Sequence, residues 1–149
     1  MPMMLQRCAV GVAGPLLAVA IVSVRVRAGQ SVLPSGLFSY DQLPVRASGS
    51  TEIRQMLTGA THSGYRIDLH ATDLAAGQMP HAAHHHVHEE LLLIREGTIE
   101  VTVGTQTTRL GPGSAVYIAS NEEHGWKNVG STPAKYFVVA LGDDEPVRK

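Results

Sequence analysis

The chain has a single cysteine, Cys8, among its 149 residues, so neither an internal disulfide nor a cysteine-ligated zinc site is open to it. Aromatic residues make up only 5%, too few for an extended platform that stacks bases or sugar rings. No Gly-x-Ser-x-Gly elbow, phosphate-binding glycine loop or dinucleotide fingerprint occurs, which argues against serine-nucleophile, ATP and nicotinamide chemistry. Acidic residues are missing from the first 40 positions, which hold Arg7, Arg25 and Arg27, whereas from Asp41 onward 9 basic side chains face 13 acidic ones, a formal charge of -4. A body of that sign, with no Lys/Arg cluster, repels a phosphate backbone, so no nucleic-acid partner is expected. No amphipathic helix pattern of useful length appears after Thr51. Length, with 44% hydrophobic and 17% charged content, fits one compact domain.

Three segments follow from the composition. Cys8 to Val24 carries no charge and is mostly Ala, Val, Leu and Gly after a basic start at Arg7, the pattern of an export signal. Gly14-Pro15 would break a membrane-spanning helix in its middle. Residues 1–28 are therefore expected to be a signal peptide cleaved after Val26-Arg27-Ala28, with Ala18-Val19-Ala20 as a second site, and the protein to be exported to the periplasm or secreted. Arg25 and Arg27 resist translocation and support the alternative, an uncleaved membrane anchor; membrane contact is expected only through this segment. Residues 29–50, with Pro34-Ser35-Gly36 and Leu43-Pro44, read as a linker or edge-covering arm. In 51–149, β-favouring stretches recur between turn signals. They predict strands near Ile53–Leu57, Tyr65–Ala71, Leu91–Arg95, Thr98–Val103, Gln106–Leu110, Ala115–Ile118, His124–Val129 and Lys135–Leu141, hence an all-β sandwich or barrel.

Histidine is the residue in excess. Five of the eight lie between His81 and His88. In an extended chain His84, His86, His88 and Glu90 share one face, because side chains alternate with period two. Imidazoles and a carboxylate on one interior face suit divalent iron, manganese, nickel, copper or zinc. His124, at the start of a later strand, lies where a neighbouring strand can bring it across the sheet.

The spacing resembles the two motifs of the cupin superfamily. Gly77, six residues, His84-His85-His86, three residues, Glu90, six residues and Gly97 reproduce the first motif. Gly113, five residues, Ala119-Ser120-Asn121, two residues, His124, three residues and Asn128 keep every spacing of the second, but its Pro-x-Gly turn is replaced. Asn121 stands at the glycine position and tolerates a left-handed backbone better than most residues. The resemblance covers roughly Tyr65 to Leu141. It implies a single-domain cupin barrel, the jelly roll or double-stranded β-helix, with His84, His86, Glu90 and His124 as ligands of one divalent ion. It also implies a homodimer built through sheet edges or an exchanged strand from Ser31–Leu57.

His88 has the right parity, but a bulge near the metal would turn it outward, so a supporting or surface role is expected for it. His81, His85 and Glu89 read as solvated, and His62 and His70 have no evident partner. Tyr117, Trp126 and Tyr136 flank the second motif as candidates to line the pocket, although core packing is the commoner fate of such residues. Arg95 and Arg109 would bind a carboxylate only if they pointed inward. By the resemblance Asn128 supports the loop, and Gly97 and Gly113 form turns.

Two function classes remain. One is a metal-dependent enzyme on a small organic molecule, of dioxygenase, isomerase or decarboxylase type, with Glu90 or a metal-activated water as candidate base. The other is a non-catalytic module that binds a sugar, organic acid or metal in the same cavity. The metal half of an active site is visible in the sequence; the acid/base half is not.

Overall fold

A computed structural model describes residues 32–143. The expected signal segment 1–28, Cys8 included, lies outside the described residues. Within them no α-helix forms, and no helix is long and apolar enough to cross a membrane.

Nine strands form the domain: β1 (Arg46–Ser48), β2 (Thr51–Ala60), β3 (Arg66–Leu74), β4 (Glu89–Glu96), β5 (Ile99–Val103), β6 (Gln106–Leu110), β7 (Ala115–Ile118), β8 (His124–Asn128) and β9 (Ala134–Leu141). They make a six-stranded sheet in the order β1-β2-β3-β9-β4-β7 and a three-stranded sheet in the order β6-β5-β8, with antiparallel pairing throughout. All eight expected strands are present. β1 is the addition: it lies in the segment read as a linker, and Arg46-Ala47-Ser48 is polar and exposed, so no apolar alternation marks it. Ahead of it, the Leu33 amide donates to the Ala60 carbonyl at 2.8 Å. Tyr40, in a short 3-10 turn, donates its hydroxyl to Asp73 at 2.5 Å beneath the Arg54 guanidinium. Burial and the adjacent carboxylate push the Tyr40 hydroxyl up to about 12.

Period-two alternation decides what each strand buries. Glu90, Leu92 and Ile94 of β4, Ile99 and Val101 of β5, His124, Trp126 and Asn128 of β8, and Ala134, Tyr136 and Val138 of β9 turn inward. Leu74 and Ile118 complete the core. Truncating a fully buried Leu such as Leu92 to Ala typically costs about 2–5 kcal/mol. The β4–β5 turn requires Gly97: its φ is 85°, and a Cβ there would lie 2.8 Å from the Cα and Cβ of Ala134. Along the inward face the apolar side chains give way to polar ones, where Glu90 begins β4 and His124 begins β8. The cavity opens at that end.

Candidate metal centre

Two loops bring the motif residues together. His84 and His124 form an isolated antiparallel bridge, with the His84 amide donating to the His124 carbonyl at 3.0 Å and the reverse bond at 2.9 Å. The loop can come this close because β8 carries Gly125, where a Cβ would lie only 3.2 Å from the Cα and Cβ of Ala83. Two residues on, the Asn121 amide donates to the His86 carbonyl at 2.7 Å. Asn121 has φ 61°, the left-handed conformation expected where the motif normally has glycine, so the altered turn keeps its shape.

Hydrogen bonds behind the rings fix which nitrogens face the cluster. His86 Nδ1 lies 2.8 Å from the His88 carbonyl, and His124 Nδ1 lies 2.8 Å from the Glu122 carbonyl. A carbonyl only accepts, so each Nδ1 carries a proton and each ring turns its Nε2 to the cluster. Those two Nε2 atoms meet one Glu90 oxygen, at 3.0 Å from His86 and 3.3 Å from His124. Donor atoms of His84, His86 and His124 lie within 4.8 Å of one another. His124 is 1% and Glu90 5% exposed. His124 Nε2 and His84 Nδ1 are buried without a hydrogen-bond partner. Burial, with His81, His124 and His86 around it, holds His84 below the usual histidine range, so the ring stays neutral, the form that donates to a metal. Buried polar atoms without a partner are costly, and imidazoles grouped with a carboxylate are donors that a divalent cation accepts. The donor set therefore fits the ion that the motifs imply.

The cluster opens on a cavity of about 580 Å³. Trp126 and Tyr136 are packed in the core and also line the cavity, with the indole N–H donating to the Tyr136 hydroxyl at 3.0 Å. Burial raises the pKa of that hydroxyl, which keeps its proton. Tyr117 does not line the cavity: Ile118 takes the inward position of β7 and leaves Tyr117 58% exposed. His88 also departs from expectation. No bulge turns it outward; it is half-buried, lines the cavity and stacks on His86 with centroids 3.6 Å apart. The register irregularities lie elsewhere, at Gln55/Leu57 in β2 and Ile94/Glu96 in β4. Arg109 is exposed and pairs with Glu100; Arg95 is exposed and lies over Tyr40 and Phe137. Neither points into the cavity. His85 is exposed and pairs with Glu123, and His81 is exposed at the cavity mouth, 4.3 Å from the His84 ring. His62 is exposed, whereas Glu89 is half-buried and outside this cavity.

No motif marks β3, yet its inward face supplies Arg66, Asp68, His70 and Thr72 to the same cavity. His70 Nδ1 donates to Asp68 at 3.1 Å, and Gln55 Nε2 donates to the other Asp68 oxygen at 3.0 Å. The His70 hydrogen bond is the main reason the Asp68 carboxyl sits below its ordinary range. The signal available in sequence was the even spacing of Arg66, Asp68, His70 and Thr72 in a β-favouring stretch. Which sheet face they joined was not readable.

Two antiparallel sheets closing over three histidines and a glutamate define a small all-β barrel with a candidate metal centre. The cupin-domain family model matches residues 71–140, just under half of the chain, and this segment is similar to the cupin domain. Solved structures agree on the fold. An RmlC-like cupin from Shewanella frigidimarina superposes with TM-score 0.63 at 17% identity, over 78% of this chain and 96% of that one. The polyketide cyclase RemF from Streptomyces resistomycificus gives 0.61 at 20% identity, over 78% and 85%. A predicted oxalate decarboxylase from Thermotoga maritima gives 0.64 at 16% identity, over 72% and 100%. No curated protein sequence matches the chain.

Proposed function

We propose that the protein is a metal-dependent enzyme acting on a small polar organic molecule, with chemistry of the dioxygenase, isomerase or decarboxylase type. One observation carries this reading: imidazole nitrogens of His84 and His124 buried without a hydrogen-bond partner lie with His86 and a buried carboxylate beside a ligand-sized cavity. His84, His86, His124 and Glu90 would hold the ion, which supplies Lewis-acid or redox chemistry to a ligand in the cavity. Glu90 is committed to the cluster. We assign proton transfer instead to His70, whose Nδ1–H is anchored on Asp68 and whose ring lines the cavity. Tyr136 and Trp126 form the wall that positions the ligand.

Metal content by mass spectrometry tests the first half: about one ion per chain in the wild type and none in the His86→Ala, His124→Ala double variant. Turnover of a panel of diols, enolic acids and flavonoid-like compounds tests the second. Product should form only with metal, and His70→Gln should lower the rate at least tenfold with metal content unchanged. Panel compounds that raise the melting temperature without being converted would instead establish a binding module.

A further inference from the structure

The donors near the cluster exceed the four that the motifs specify, and the extra one is His88. Donor atoms of His86, His88 and Glu90 lie within 4.8 Å of one another, as do those of His84, His86 and His124. His88 is half-buried, faces the cavity and lies parallel to His86, with 11° between the ring planes. The first group is two imidazoles and a carboxylate; the second is three imidazoles. The two groups share His86.

We propose that His88 is a metal donor and that the cluster offers one divalent cation two alternative positions: an inner one on His84, His86 and His124 completed by Glu90, and an outer one on His86, His88 and Glu90. This deepens the metal-dependent reading above and rests on it. The positions exclude each other. His86 Nδ1 is committed to the His88 carbonyl, which leaves a single lone pair, on Nε2, and a lone pair serves one ion at a time. Glu90 connects the two positions, because one carboxylate oxygen lies within 3.3 Å of both His86 and His124. The positions also differ in chemistry. The inner one offers three imidazoles and a carboxylate, whereas the outer one offers two histidines and one carboxylate, the triad suited to iron(II) with open coordination positions.

Cobalt(II) titration of the full chain, read by its visible spectrum and by bound metal per chain, tests this without any substrate. The wild type should bind one ion. His84→Ala should still bind one ion, with a shifted spectrum, because the outer set survives. His88→Ala alone should likewise keep one ion. His84→Ala and His88→Ala together should bind at least tenfold more weakly than His84→Ala alone, and His86→Ala should lose binding, since it removes the shared donor. The proposal is overturned if His84→Ala already binds nothing, or if adding His88→Ala to it changes neither affinity nor spectrum. Far-ultraviolet circular dichroism checks the fold of each variant, and His→Asn replacements repeat the series where Ala unfolds the chain. A wild type that binds no metal removes the proposed function itself; a wild type that binds one ion while His84→Ala binds none removes only the role of His88.

Discussion

His124 and Asn128 are buried polar residues on the same inward face of β8, at opposite ends of the strand. Asn128 is completely partnered. Its amide group donates to the Leu74 and Thr132 carbonyls at 3.0 and 2.8 Å, and its side-chain oxygen accepts from the Gly130 amide at 3.0 Å. His124 is held from behind by the Glu122 carbonyl, but its Nε2 is buried with no hydrogen-bond partner. Burial alone therefore does not separate structure from function on this strand; satisfaction does. A saturated polar side chain ties loops together, and an unsatisfied one aimed at other acceptors awaits a cation. The apolar end around Leu92, Ile94 and Ala134 and the polar end around Glu90 divide the barrel in the same way.

Three measurements would break or sharpen that contrast. The largest effect is expected from Asn128→Ala, which strips partners from the Leu74 and Thr132 carbonyls and the Gly130 amide; chemical denaturation should show a loss on the order of 3 kcal/mol. A loss below about 1 kcal/mol would mean that water replaces those bonds. His124→Leu should behave in the opposite way. The metal-free variant should unfold within about 1 kcal/mol of the wild type, because the substitution removes an unsatisfied atom. Its stabilisation by zinc, about 2.7 kcal/mol when free metal is a hundred times the Kd, should vanish. A strongly destabilised metal-free variant would contradict the contrast.

The smallest effect is that of pH. The folded state lowers the pKa values of His84 and Asp68 from their ordinary 6.5 and 3.8. In each case the unfolded chain takes up its proton first as pH falls. Stability of the metal-free protein should therefore be fullest above about 6.5, decline as His84 titrates, and decline again below about 3.8 as Asp68 titrates. Removing His84 by His84→Gln should flatten the first decline and leave the second. A melting temperature indifferent to pH between 7 and 5 in the wild type would refute the assignment to His84.

Much of this was legible along the chain. β-favouring stretches between turn signals marked eight strands, and strict spacing singled out His84, His86, Glu90 and His124, which the fold gathers at one end of the cavity. Asn121 was recognisable as the residue able to replace a turn glycine. Three features escaped. β1 is short and fully exposed, so no burial pattern marks it. His88 was expected to be turned aside by a bulge, and the bulges fall in β2 and at the far end of β4. Tyr117 was misplaced because proximity to a motif was weighed above parity, which puts Ile118 inside.

The Asp68–His70 pair shows where sequence reasoning stops. Two polar residues two apart on a strand share a face whatever the fold, but β3 borders the cavity only because β9 pairs with both β3 and β4. The order of residues decided which side chains could donate to a metal and which strands would form, because both depend on local chemistry and a two-residue repeat. Sheet closure decided the rest: which nitrogens were left without partners, that His88 faces the cavity, and that a carboxylate-anchored histidine lines the same space as the cluster. Those properties come from contacts between distant segments, and local periodicity carries no information about which segments will meet.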